Sequence, residues 1–186
     1  MPTWDAIVLA GGRGSRLGGV DKAALALGGE TLLARVLRAV DDAAHVVVVG
    51  DVSVPGRTVV REDPAYGGPA AAVGAGLGEI TSPYVLLVGC DQPFVAEALD
   101  VLLARLDGDG VVALDTDGRR QHLLSIVRTD ALRESARTLG TLDGQSLRAL
   151  LSPLDLVEVT VPPRSALDVD TWDDHARAVA EEERDD

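Results

Sequence analysis

The chain reads as a single α/β domain, residues 1–186, built on a mostly parallel sheet. Three observations predict this. Short aliphatic runs, Asp5-Ala6-Ile7-Val8-Leu9, His45-Val46-Val47-Val48-Val49 and Tyr84-Val85-Leu86-Leu87-Val88, recur between stretches whose apolar residues have helical spacing. Each run meets a glycine within two residues, and such alternation implies parallel strands joined by right-handed crossovers. A length of 186 residues with 46% hydrophobic content also suits one domain that buries most of its apolar surface.

The first strand runs straight into Ala10-Gly11-Gly12-Arg13-Gly14-Ser15-Arg16-Leu17-Gly18-Gly19-Val20-Asp21-Lys22. Glycines let a backbone approach a ligand closely, so successive amides can converge on phosphate oxygens. Arg13, Arg16 and Lys22 add positive charge to that concavity. Lys22 is the only lysine in the sequence. In a chain that otherwise uses arginine, it suggests a site needing a compact point charge, held in an open cleft. The plainer alternative is a glycine-rich connection with a solvated lysine.

Residues 23–27 read as short and extended, and 31–40 as a helix with Leu32, Leu33, Val36, Leu37 and Val40 on one face. A strand at 45–49 and another at 57–60 follow. The acidic turn Arg61-Glu62-Asp63-Pro64-Ala65-Tyr66 leads through Gly67-Gly68 to Pro69, a proline suited to the first position of a helix over 70–80. That helix is built from alanine, glycine and valine, which permits close packing against the sheet. The most apolar strand ends at Gly89-Cys90-Asp91-Gln92-Pro93. A carboxylate at a strand tip suits Mg²⁺, which takes one or two carboxylates plus substrate phosphates; a helix-capping or turn role is the alternative. Residues 95–106 form an amphipathic helix. Strands at 110–114 and 123–127 either form a hairpin or send the second strand back to the main sheet. Helices at 129–139 and from 144, a strand at 156–161 and a final helix complete the chain. Asp170 or Thr171 caps that last helix, and 180–186 is an acidic end expected to fray.

The glycine loop fits neither of the two commonest phosphate-binding patterns. Lys22 is followed by alanine, not Ser or Thr, and Leu17 stands where a dinucleotide fingerprint needs glycine. What it resembles is the signature of the Rossmann-like nucleotidyltransferases, Leu9-Ala10-Gly11-Gly12, then arginine, glycine and Asp21-Lys22. The Gly11-Gly12 and Asp21-Lys22 pairs look like those of the molybdenum cofactor guanylyltransferases. Cys90-Asp91-Gln92-Pro93 matches the family's Cys-Asp-x-Pro motif, and Leu167-Asp168-Val169-Asp170-Thr171 resembles its closing motif with Asp in place of two Asn. The resemblance implies a single-domain, three-layer Rossmann-like fold that transfers GMP from GTP to the terminal phosphate of molybdopterin carrying molybdenum. It implies Leu9, Ala10, Gly11, Gly12, Arg16, Lys22, Asp63, Gly68 and Asp91 as nucleotide-binding residues, with Lys22, Arg16 and Asp91 catalytic. Asp91 would hold Mg²⁺, Asp170 being a second candidate ligand. Ser146 and Arg148 would lie toward the acceptor. The alternatives are a cytidylyltransferase for the same cofactor, a guanylyltransferase for another small phosphate, and a binding module without turnover.

Net charge is −13, with 30 acidic against 17 basic residues, which disfavours nucleic acid as a partner. Small-molecule substrates are expected, with transient contacts to proteins of cofactor biosynthesis or to acceptor proteins. Cys90 is the only cysteine, and no apolar run approaches a membrane span. No signal peptide is read at the N-terminus, and a cytoplasmic location is expected.

Overall fold

The computed structural model describes residues 2–11, 17–18 and 20–184. Nine strands alternate with six helices among them. β1 (Trp4–Leu9), β4 (Val46–Val49), β5 (Thr58–Val60), β6 (Tyr84–Gly89), β7 (Gly110–Leu114), β8 (Arg120–Arg128) and β9 (Leu156–Thr160) form one sheet in the order β5-β4-β1-β6-β8-β7-β9. β1 lies parallel to both β4 and β6, while β8 runs antiparallel between β6 and β7. The 110–128 segment thus does both things the sequence left open: it turns back as a hairpin and also joins the main sheet. β2 (Ala26–Leu27) and β3 (Glu30–Thr31) make a separate two-stranded ribbon, where the sequence suggested only an extended stretch.

Alternation along the strands divides the core into two layers. Ala6 and Val8 of β1 face one cluster, joined by Leu33 and Val36 of α1 (Leu32–Ala39) and by Ala98, Leu99 and Leu102 of α3 (Ala96–Leu103). Ile7 and Leu9 face the other, with Ala70, Val73 and Leu77 of α2 (Pro69–Leu77), Leu132 of α4 (Thr129–Leu139) and Leu147 and Leu150 of α5 (Leu147–Leu151). The result is helices, sheet, helices. α2 carries no polar face because its job is proximity. A Cβ on Gly76 would sit 3.0 Å from Ile7 Cγ2 and 3.1 Å from Val49 Cγ2, so glycine lets the helix lie tight on β1 and β4.

Helix starts follow local chemistry. Thr31 caps α1 by accepting from the Ala34 amide, and Ser146 caps α5 through the Ala149 amide. Thr171, not Asp170, caps α6 (Trp172–Glu182), in a reciprocal box with Asp174. The helix continues to Glu182, further than the fraying read from the acidic sequence. Glu182 pairs with Arg35, and Arg164 donates to the Glu181 carbonyl, so the last turn is held. No helix among the described residues is long and apolar enough to cross a membrane.

At the end of the sheet away from the glycine loop, Asp5 is fully buried. Its carboxylate accepts from the amides of Thr81 (2.8 Å) and Ser82 (2.9 Å) and from the Ser82 hydroxyl (2.6 Å). Burial pushes this carboxyl up, but the Ser82 and Thr81 hydrogen bonds and nearby His45 outweigh it and hold it below its ordinary value. A depressed native value contributes stability above the unfolded value and loses it as pH falls through the native one. Asp5→Ala should therefore cost about 2–3 kcal/mol at pH 7, because three donors lose their acceptor. Urea titrations at pH 7 and pH 3 check this, and the gap to wild type should narrow at pH 3. Cys90, 4% exposed, has its thiol pushed up to about 12, first by burial and then by Asp91. It should resist a thiol reagent at pH 8 in native protein and react promptly once the chain is denatured.

Candidate active site

Strand order reverses at the junction of β1 and β6, since the chain builds outward to β5 and then returns across β1 to lay down β6. In open α/β sheets a ligand crevice forms there, outside the carboxyl ends of the strands. Two backbone hydrogen bonds fix its floor. The Ala10 amide donates to the Val49 carbonyl (2.8 Å), and the Cys90 amide donates to the Leu9 carbonyl (2.9 Å). Gly50 is required beside them, because a Cβ there would stand 2.6 Å from the Ala10 carbonyl oxygen.

Three distant parts of the sequence meet over this floor. Asp21 accepts from the Ala23 amide and starts a single 3₁₀ turn over Lys22–Ala24, which sets the base of the lysine side chain. Lys22 Nζ donates to Asp91 Oδ2 at 3.0 Å and also to Asp170 Oδ1. Asp170 is brought there by the Val169 amide, which donates to the Asp91 carbonyl at 2.9 Å. Gln92 supports the turn by accepting from the Gly89 amide. Lys22 is more enclosed than an open cleft implies, its side chain only 19% exposed. Burial pulls its pKa down, but the bonds to Asp170 and Asp91 more than compensate and raise it, so the ammonium stays charged.

The sequence reading missed a third carboxylate in this group. Asp168 faces solvent, yet the surrounding protein and the like charges of Asp91 and Asp170 push its carboxyl up to about 7. Its signal was the Asp-x-Asp spacing across Val169, whose side chain is buried. Three carboxylates around one ammonium leave an excess of negative charge and hard oxygen donors. Among the described residues no three such groups are placed to hold a metal ion by themselves. Two converging carboxylates do fit an ion that completes its shell with phosphate oxygens, as Mg²⁺ does.

Two clefts open from this point. The larger, about 430 Å³, is lined by Leu9, Gly11, Lys22, Gly68 and Asp91, with Pro69, Ala72 and Leu123 as an apolar wall. The smaller, about 240 Å³, is lined by Ala10, Gly11, Gly50 and Asp51. Both also touch Glu62 and Tyr66. Of the nucleotide-binding candidates, Leu9, Ala10, Gly11, Lys22, Gly68 and Asp91 therefore come together. Asp63 is exposed and lines neither cleft; its neighbour Glu62 lines both. Gly12 and Arg16, with Arg13, lie outside the described residues. Ser146 is occupied as a helix cap, and Arg148 faces a separate cleft with Arg120 and His122. Burial and those two arginines lower the His122 pKa, which favours the neutral ring.

Comparison with known proteins gives a consistent picture. A molybdenum cofactor guanylyltransferase from Ralstonia nicotianae is 36% identical over 115 residues, which is 56% of this chain and 55% of that protein. The match therefore spans only about half of that relative. A Methanothermobacter nucleotidyl transferase superposes with a TM-score of 0.81 at 23% identity, covering 99% of each chain. The molybdopterin-guanine dinucleotide biosynthesis protein A of Archaeoglobus fulgidus does so with a TM-score of 0.74 at 22% identity, covering 97% of this chain and 99% of that one. At those identities the two structures speak for the fold alone. The model of the MobA-like NTP transferase domain matches residues 6–159. Because that match runs from the first strand of the sheet to the last, through both walls of the cleft, the chain belongs to the MobA-like NTP transferase family.

Proposed function

We propose that this protein transfers GMP from GTP to the terminal phosphate of a molybdopterin-type acceptor and releases pyrophosphate. The observation that carries the reading is the Lys22 ammonium held between Asp91 and Asp170 at the carboxyl ends of β1 and β6. A binding module has no use for such an arrangement. It would have to gather three carboxylates beside one half-buried lysine in a single crevice for no chemical return. The relatives named guanylyltransferases support guanine and the molybdenum cofactor as the substrate classes.

In this reading an acceptor phosphate oxygen attacks the α-phosphorus of the nucleotide, and the bond to the pyrophosphate oxygen breaks. The chain needs to supply little covalent chemistry, because positioning and charge neutralisation lower the barrier. Amides of the glycine loop, from Gly11 onward, hold the phosphates, and Arg16 adds a charge to the same loop. Lys22 supplies a compact positive charge against the departing pyrophosphate. Asp91, with Asp170 as its partner, would hold Mg²⁺, which when bound neutralises phosphate charge and makes the α-phosphorus more electrophilic. The apolar wall of Pro69, Ala72 and Leu123 keeps water from competing with the acceptor.

The deciding assay measures pyrophosphate release with Mg²⁺, molybdopterin and each of four nucleoside triphosphates. GTP should be preferred; a preference for CTP would make the protein a cytidylyltransferase, and no release with any of them would remove the catalytic reading. In the same assay Lys22→Ala should lose about two to three orders of magnitude in rate, the usual cost of removing one preorganised charged contact. Lys22→Arg should lose much of the activity too, since a planar guanidinium does not fit between two carboxylates set for an ammonium. Asp91→Asn should abolish turnover and Asp170→Asn should do less. Equal and negligible effects of the two Asp changes would rule out the shared metal site.

A further inference from the structure

The chain is poor in aromatic residues, with 2 Trp, 2 Tyr and 1 Phe. Trp4 and Phe94 are buried at 7% exposure each. Tyr66 is 66% exposed, the most open of the large apolar side chains among the described residues. Its backbone also adopts φ 66°, a left-handed conformation unfavourable for a bulky residue. Gly67 beside it would take that conformation without cost but does not. A ring kept exposed on a strained backbone at the junction of two clefts calls for a ligand-facing role.

Glu62 lies beside it. Its Oε1 accepts from the Tyr66 backbone amide at 3.1 Å, which ties the carboxylate to this turn, and both residues line both clefts. An aromatic face with an adjacent carboxylate suits one kind of ligand. It is a flat fused ring that stacks and presents a ring N–H and an exocyclic amine on one edge, as 2-amino-4-oxo heterocycles do. Guanine and pterin share that edge, and the two clefts offer room on either side of Tyr66.

We propose that Tyr66 is the stacking platform, and Glu62 the edge-reading acceptor, for the 2-amino-4-oxo heterocycle of a substrate. This rests on the nucleotidyltransferase reading but assigns residues that neither the glycine loop nor the metal-site carboxylates include. Calorimetric titration of the full-length protein tests it with three probes: GTP, inorganic triphosphate and 6-hydroxymethylpterin. Tyr66→Ala should weaken one of the two heterocycles by about 10- to 100-fold, the usual yield of a lost base stack, and leave inorganic triphosphate unchanged. Loss with GTP assigns the platform to the nucleobase, and loss with the pterin assigns it to the acceptor. Tyr66→Phe, which keeps the ring, should restore most of the affinity. Glu62→Gln should weaken the same ligand as Tyr66→Ala.

A Tyr66→Gly control removes the ring and relieves the backbone, so its melting temperature should equal or exceed wild type; a lower one would mean that the ring is structural and overturn the proposal. Tyr66→Ala that binds both heterocycles like wild type, or that weakens inorganic triphosphate equally, also overturns it while leaving the enzyme reading intact. Wild-type protein that binds GTP no better than inorganic triphosphate and ignores the pterin would overturn both.

Discussion

The parallel pairing of β1 with β6 is the constraint on which the site depends. Six residue pairs in register, Trp4 with Tyr84 through Leu9 with Gly89, bring two strand ends to the same level. The glycine loop leaves from one and Asp91 from the other. The pairing is secured at its opposite end by the buried Asp5 carboxylate, which ties β1 to the turn before β6. It is secured at the site end by the Cys90 amide on the Leu9 carbonyl. Displacing β6 by one residue would turn its side chains over and take Asp91 off the crevice.

Charge is arranged on the same frame. The chain carries an excess of acid overall, yet at the crevice it gathers carboxylates around its one lysine instead of dispersing them. Ion pairs of this sort give little net stability, because desolvation offsets attraction. Their value is positional, since Lys22 holds Asp91 and Asp170 together at the mouth of the crevice.

Much of this was legible in the sequence. Aliphatic runs of four to six residues marked the central strands, and the glycine-rich passage after Leu9 marked the crevice. The beginning of β8 was not, because Arg120, Gln121 and His122 are polar. That part of the strand pairs only with β7, beyond a register shift at Val112 and Ala113. Asp168, Glu62 and Tyr66 were missed as site residues for a related reason. Asp168 is placed by a tertiary contact, the Val169 amide on the Asp91 carbonyl, and Glu62 and Tyr66 by a local turn in which the Glu62 carboxylate accepts from the Tyr66 amide; neither leaves a periodic trace. The acidic stretch at Glu181 and Glu182 looked like solvated helix end, and only Arg35 and Arg164 across the fold make it part of the structure.

The bond between Lys22 and Asp170 joins positions 148 residues apart. Nearly the whole polypeptide must be threaded through the sheet before those two side chains can meet. Local helices and hairpins gain nothing from that contact, and closing it carries the loop-closure cost of the whole stretch between. The crevice thus acts as a seal on the finished fold. A chain whose last segment is undocked keeps the glycine loop and Lys22 but lacks Asp170 beside them.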